Sequence, residues 1–226
     1  MAWSREKVAA LIDHTLLKPA ATLGDIRSLC EEAKEHGFFS VCINPCYVKT
    51  AKEYLAGSPV QVCTVIGFPL GANTPEQKRR ETVEAVQLGA DEVDMVIALG
   101  AVKAGDWDYV RRDIRAVVEG AAGRPVKVIL ETGLLEKEEI VQACRVTQEA
   151  GAHFVKTSTG FLAGGATLEA VSLMRAAVGE HFGVKASGGI RTLQQLKEMV
   201  QAGANRIGSS ASVAIMKEFE DAVSLD

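Results

Sequence analysis

The stretch Ala150-Gly151-Ala152-His153-Phe154-Val155-Lys156-Thr157-Ser158-Thr159-Gly160 reads as one complete joint of an α/β chain. A helix closes at the glycine, where left-handed backbone meets no Cβ clash. An apolar strand follows and runs into a hydroxyl- and glycine-rich loop. The joint recurs at Leu88-Gly89-Ala90-Asp91 and at Ala202-Gly203-Ala204-Asn205. Helix, glycine and apolar strand in repetition predict parallel strands connected by helices.

Working outward from this joint gives eight strands. Upstream lie a first short strand and its loop in Leu11 to Pro19, then Phe38 to Ile43, Val60 to Ile66, Asp91 to Ile97 and Val126 to Thr132. The quoted stretch supplies the sixth, Gly183 onward the seventh and Arg206 to Ser209 the eighth. Helices fill the intervals: from Thr22 to His36, Tyr47 to Leu55, Thr74 to Gly89, Trp107 to Gly120, Glu136 to Ala150, Leu168 to Val178, Thr192 to Gly203, and Ala211 to about Ala222. Thr22 with Asp25, Thr74 with Gln77 and Thr192 with Gln195 have the spacing of capping boxes, and Pro75 sits where a first helical turn tolerates proline. This alternation predicts a closed (β/α)8 TIM barrel, one domain over residues 1–226, with a short N-terminal helix from about Trp3 to Ala10. An open doubly wound sheet is the other arrangement, but G-x-G-x-x-G is absent. Gly100 and Gly105 have Walker A spacing, yet Asp106 and Trp107 follow where lysine and a hydroxyl residue are needed.

Composition narrows the function classes. With 47% hydrophobic and 24% charged residues the chain reads as a soluble globular protein. A net charge of −4 leaves no basic footprint for nucleic acid. No apolar run approaches the roughly 20 residues that span a membrane. The start Met1-Ala2-Trp3-Ser4-Arg5-Glu6-Lys7 is charged at once, unlike a secretory leader, so a cytoplasmic location is expected. Five cysteines, an odd number at irregular spacing, argue against a disulfide framework. Cys42 and Cys46 lack a matching Cys or His pair, and the four histidines form no H-x-x-x-H set, which disfavours a metal site.

The chemistry lies in three strands that carry ionisable residues. Lysine is rarely buried without a partner, so Lys156 inside an apolar strand is unusual. Asp94 interrupts Asp91 to Ile97, and Lys185 precedes the Gly188-Gly189 pair. Period-two alternation puts Asp94 on a face with Glu92 and Val96, Lys156 with Phe154 and Ser158, and Lys185 with Ser187. The plain alternative is two solvent-facing lysines and a structural aspartate. If instead all three point into the barrel, two lysines and a carboxylate share its C-terminal mouth, where barrel enzymes hold their active sites. A free amine, with a pKa of about 10.4, must lose roughly 3 units, or about 4 kcal/mol, to attack a carbonyl at neutral pH. A second ammonium about 5 Å away supplies roughly 3 kcal/mol of this at an effective dielectric of about 20. Two adjacent lysines therefore suit a Schiff-base nucleophile with a cationic neighbour, and Asp94 suits proton transfer. Gly188 and Gly189 after strand seven, and Gly208, Ser209 and Ser210 after strand eight, lie where barrels commonly cradle a phosphate.

Leu11-Ile12-Asp13-His14-Thr15-Leu16-Leu17-Lys18-Pro19, Asp91-Glu92-Val93-Asp94, Val155 to Phe161 and Val184 to Arg191 together resemble the deoxyribose-phosphate aldolase family, in the same order and over nearly the whole chain. The resemblance implies a class I aldolase without metal or other cofactor, acting on 2-deoxy-D-ribose 5-phosphate, D-glyceraldehyde 3-phosphate and acetaldehyde, and a homodimer. It implies that Lys156 is the Schiff-base residue and that Asp94 and Lys185 move protons. It places Gly188, Gly189, Ser209 and Ser210 at the phosphate, and Asp13, Thr15, Lys18, Cys42 and Thr159 in or around the pocket. Two departures stand out. Phe161 occupies a position where some members carry a phosphate-binding lysine. The sequence ends Val223-Ser224-Leu225-Asp226, without the C-terminal tyrosine that assists proton transfer in some members, so that assistance is expected to be absent or to come from elsewhere. Another Schiff-base aldolase acting on a different phosphorylated sugar, a non-catalytic phosphosugar-binding barrel and an imine-free isomerase are the other functions compatible with these residues.

Overall fold

Gly89, Gly151 and Gly203 all adopt left-handed backbone, with φ of 107°, 85° and 115°, just before a strand. Each follows a helix whose final residue is Gln87, Glu149 or Gln201 and ends the turn that the recurring joint implied. The structure, a computed structural model, describes residues 3–162 and 164–223. The chain termini quoted above, Met1-Ala2 and Ser224 to Asp226, lie outside the described residues.

Eight parallel strands close into a barrel in sequence order. They are β1 (Ile12–Leu16), β2 (Ser40–Ile43), β3 (Gln61–Ile66), β4 (Glu92–Val96), β5 (Val126–Ile129), β6 (Phe154–Lys156), β7 (Gly183–Ser187) and β8 (Arg206–Ser209). Around them run α1 (Arg5–Ala9), α2 (Leu23–His36), α3 (Val48–Tyr54), α4 (Pro75–Gln87), α5 (Leu99–Ala104), α6 (Trp107–Gly120), α7 (Lys137–Glu149), α8 (Leu168–Val178), α9 (Leu193–Gln201) and α10 (Ser212–Val223). The three capping boxes form, each with reciprocal side-chain and backbone hydrogen bonds. A fourth joins Glu136 to Glu139 at the start of α7.

Two elements differ from the sequence expectation. Leu99–Ala104 is a helix where none was expected; it is six residues long, contains Gly100 and has no side-chain cap, so its local signal is weak. β5 stops at Ile129 instead of Thr132, because Glu131 takes left-handed backbone and a short 3-10 turn follows over Thr132–Leu134.

Alternation along the strands sorts the side chains into two environments. Val41, Ile43, Val62, Ile66, Val93, Met95, Val126, Val128, Val155, Val184 and Ala186 join the apolar layer between sheet and helices. The alternate residues point into the barrel. Cys42, Cys63 and Val65 form a small separate cluster there with Leu17, and Phe68 packs against it. Beside that cluster the interior is ionic. Asp13, Asp94, Lys127 and Lys185 have no solvent exposure, and Glu92, Lys156 and Arg206 are buried as well.

Candidate active site

Strand register determines which charges meet. Lys156 of β6 is level with Lys185 of β7, and Asp94 of β4 is level with Lys127 of β5. Asp94 Oδ2 accepts hydrogen bonds from Lys156 Nζ and Lys185 Nζ, each at 2.8 Å. The two amine nitrogens therefore lie within twice that distance of each other. Asp94 Oδ1 accepts from Lys127 Nζ at 2.8 Å and from the Cys63 thiol at 3.1 Å. Lys127 also pairs with Glu92 at 2.7 Å, and Lys185 pairs with Asp13. Arg206 closes the ring, bonding Asp13 Oδ1 at 3.0 Å and Glu92 Oε2 at 2.9 Å while its guanidinium lies 3.5 Å from the centre of the Phe39 ring. Asp13 is held further by the Ser40 hydroxyl at 2.8 Å.

Asp13, Asp94, Lys127 and Lys185 are shifted, each with a nameable cause. Burial pushes the Asp94 carboxyl up, but Lys127, Lys156 and Lys185 outweigh it and hold the group well below the usual carboxylate range. Asp13 is held low in the same way by Lys185, Lys127 and Arg206, again against burial. Burial pushes Lys185 and Lys127 down, yet the facing carboxylates raise both above the usual lysine range. Lys185 pairs with both Asp13 and Asp94, and it faces Lys156 across the Asp94 Oδ2 atom that the two amines share.

Linkage fixes the pH window. The stabilisation from Asp13 and Asp94, whose folded values are lowered, is present above their unfolded value of about 3.9 and is lost as pH falls through the folded values. That from Lys127 and Lys185 is present below about 10.4 and is lost only as pH rises through their raised folded values. The carboxyl carbons of Asp13 and Asp94, followed by carbon NMR, are expected not to titrate as pH is lowered from 8 to about 4. A midpoint at or above the ordinary aspartate value would show that the lysines do not hold them.

A cavity of about 300 Å³ opens above the network at the C-terminal ends of the strands. Lys156, Thr15, Lys18, Thr159, Gly188, Gly189, Ser209 and Ser210 line it, so eight of the twelve candidate residues meet at one opening. The other four, Asp13, Cys42, Asp94 and Lys185, are fully buried around the interior and do not line it. Of the four basic residues in the network, only Lys156 reaches the cavity. Gly188 and Gly189 both take left-handed backbone, with φ of 89° and 82°. At Gly208 a Cβ would stand 2.9 Å from Ser187 Cβ and 3.1 Å from Lys185 Cε, so the absent side chain leaves room for Lys185 to cross β8. The Ser209 hydroxyl is already engaged, donating to Ile190 O at 2.8 Å and accepting from Ala211 N at 3.0 Å. Ser210 is exposed at the start of α10, whose N-terminus carries the positive end of the helix dipole.

Residues 7–216 match the DeoC/LacD family aldolase. The chain belongs to that aldolase family. A relative from Thermoanaerobacter sp. (strain X514) named deoxyribose-phosphate aldolase is 60% identical over 94% of this chain and 96% of its own length. One of the same name from Streptococcus gordonii is 59% identical over 93% of this chain and 96% of its own length. Among solved structures, a deoxyribose phosphate aldolase from Aeropyrum pernix, described as a unique tetramer, superposes with a TM-score of 0.91. It is 36% identical and covers 97% of this chain and 93% of its own.

Three features of this DeoC/LacD aldolase lie beyond the sequence expectation. Lys127 interrupts Val126-Lys127-Val128-Ile129 just as Lys156 interrupts its own strand, so the same signal marks it. Arg206, the first residue of β8, turns inward to Asp13 and Glu92. Arg191 lines the cavity and, with Lys18, gives it two exposed cations beside the glycine pair. Cys42, Cys63 and Asp94 bring ligand-type atoms within 4.8 Å of one another, but both Asp94 oxygens already face ammonium groups, a poor surrounding for a cation.

Proposed function

We propose that this aldolase cleaves 2-deoxy-D-ribose 5-phosphate reversibly to D-glyceraldehyde 3-phosphate and acetaldehyde, with Lys156 as the Schiff-base residue. The observation that carries the reading is the pair of 2.8 Å contacts from Lys156 and Lys185 to one Asp94 oxygen at the base of the cavity. The network holds four basic groups, Lys127, Lys156, Lys185 and Arg206, against three carboxylates, Asp13, Glu92 and Asp94. Charge balances when one amine is neutral. Lys127, Lys185 and Arg206 each contact two carboxylates, whereas Lys156 contacts Asp94 alone among the described residues and opens onto the cavity. Lys156 is thus the basic group of the network with the fewest carboxylate partners and the one that faces the cavity.

In this reading the neutral Lys156 nitrogen adds to the open-chain aldehyde carbon, and uptake of a proton with loss of water leaves an iminium. The C3 hydroxyl proton passes through water to the Asp94–Lys185 pair, which lies below the cavity. The C2–C3 bond breaks, its electrons move towards the iminium nitrogen, and D-glyceraldehyde 3-phosphate departs from an enamine. Reprotonation at carbon and addition of water release acetaldehyde and return the free amine. The phosphate is placed at the Gly188-Gly189 turn, the start of α10, Lys18 and Arg191. Release of both aldehyde fragments should be measured from 2-deoxyribose 5-phosphate alongside other pentose and hexose phosphates. Preferential turnover of the 2-deoxypentose phosphate is expected; preference for a phosphorylated sugar bearing a 2-hydroxyl would assign a different aldolase reaction.

The phosphate site has its own test. Ser210→Asp puts a carboxylate where the anion is placed. It is expected to raise KM for the phosphorylated sugar by about 10-fold or more while leaving unphosphorylated deoxyribose within about 3-fold. Equal losses on both substrates would remove the phosphate from this loop. A cytoplasmic homodimer completes the proposal, and light scattering on the purified chain tests the assembly. Among the described residues no helix is long and apolar enough to cross a membrane.

A further inference from the structure

Glu131 is the one residue at the C-terminal rim of β5 that combines burial, unusual backbone and contact with the cavity wall. Its φ of 56° places a residue with a Cβ in the left-handed region, shared only by Ala122 among the described non-glycine residues. The neighbouring backbone is pinned to the strand that carries Lys156: Leu130 N donates to Lys156 O at 2.9 Å and Thr132 N to Thr157 O at 3.0 Å. The Glu131 side chain has no solvent exposure. Its Oε2 accepts from Thr159 N at 3.1 Å and from the Thr159 hydroxyl at 2.5 Å. Thr159 Oγ1 in turn accepts from Phe161 N at 3.1 Å. One carboxylate oxygen therefore anchors a chain of hydrogen bonds that ends at Phe161.

That chain reaches the substrate opening. Thr159, Gly160 and Phe161 all line the cavity. Phe161 is 47% exposed, and its ring meets Phe68 edge-on with centres 5.2 Å apart. Phe68 packs against the interior cluster of Leu17, Cys42, Cys63 and Val65. The turn thus carries an aromatic wall on one side of the opening, and Gly160, with a φ of 80°, lets it bend there. The Lys156 amine is held by Asp94 rather than by Glu131. No salt bridge to Glu131 is found among the described residues, and its Oε1 is buried without a hydrogen-bond partner. An ion pair is therefore not the reason for a carboxylate at this point; its acceptor oxygen is.

We propose that Glu131 is a positioning residue that sets the Thr159–Phe161 turn against the part of the substrate beyond the cleaved bond, and so governs how the phosphorylated sugar is held without taking part in imine formation. This rests on the reading of Lys156 as the Schiff-base residue, and the two can fail separately. Trapping of acetaldehyde on the enzyme with borohydride reports the Lys156 reading alone, whereas KM for 2-deoxyribose 5-phosphate reports the turn.

The test compares Glu131→Ala, Glu131→Asp, Glu131→Gln and Thr159→Val. Glu131→Ala is expected to raise KM about 10-fold with kcat and the rate of acetaldehyde trapping within about 3-fold of the parent. Glu131→Gln keeps an acceptor oxygen at the same reach and is expected to recover KM to within about 3-fold. Glu131→Asp keeps the charge but is one methylene short, so it should behave like the alanine variant. Glu131→Ala combined with Thr159→Val should cost no more than the larger single change, because both break one chain. The proposal is overturned if KM is unchanged in Glu131→Ala, if trapping falls in step with KM, if Asp restores function and Gln does not, or if the two changes multiply. Should Glu131→Ala fail to fold, the order of the Asp and Gln variants and the effect of Thr159→Val decide the matter.

Discussion

Lys156→Leu is expected to abolish cleavage of 2-deoxyribose 5-phosphate, by on the order of 10⁴-fold or more in kcat, without weakening the fold. On the proposed reading the loss of rate follows from the loss of the nucleophile: neither Lys127 nor Lys185 lines the cavity, so neither would substitute. The stability result follows from charge. Lys156 is the fourth basic group facing three carboxylates, and Asp94 keeps its contacts to Lys127 and Lys185 when it is removed. Leucine beside the Leu17, Cys42, Cys63 and Val65 cluster adds apolar contact inside the barrel. The denaturant midpoint should therefore stay level or rise. A variant that retains even a hundredth of the parent rate would remove Lys156 from the chemistry, and a marked drop in midpoint would show that its ammonium is needed to hold the barrel together.

Asp94→Asn should do both kinds of damage. Asp94 contacts all three lysines, and removing its charge leaves four buried basic groups facing two carboxylates. Breaking a buried network by deleting one partner costs about 3–5 kcal/mol, whereas replacing a whole pair with apolar groups need not. The amide also places donor hydrogens where an oxygen now receives ammonium groups. With Asp94 in its proposed proton-transfer role, its loss should lower kcat by about 10²–10⁴-fold in whatever fraction remains folded. Asp94→Asn and Lys156→Leu thus have opposite expected effects on stability while both remove activity. Were they to shift the unfolding midpoint in the same direction, the charge count of the network would be wrong.

The contrast shows what was legible in the chain and what was not. Local signals carried the fold. The Gly89, Gly151 and Gly203 joints and the threonine capping boxes mark helix ends through backbone rules that act within a few residues, and the barrel follows from counting them. Lys156, Lys185 and Asp94 were legible because a charged residue inside an apolar strand breaks an expected pattern. Their partners were less so. That Asp94 is level with Lys127, and that Arg206 crosses to Glu92, depends on the stagger between strands, which no single strand encodes. Ser209 lies at the expected rim, but only the folded chain shows its hydroxyl bonded to Ile190 and Ala211. Glu131 left no trace in periodicity, because its role comes from one left-handed residue at the end of a strand whose neighbours look like more strand.

Incubation of the intact protein with acetaldehyde and borohydride, followed by peptide mass spectrometry, tests the central claim most directly. Reduction of the imine should leave an ethyl group on Lys156 and none on Lys127 or Lys185, with no label in Lys156→Leu. An ethyl group found chiefly on Lys185 or Lys127, or no labelling of the parent protein, would contradict the assignment.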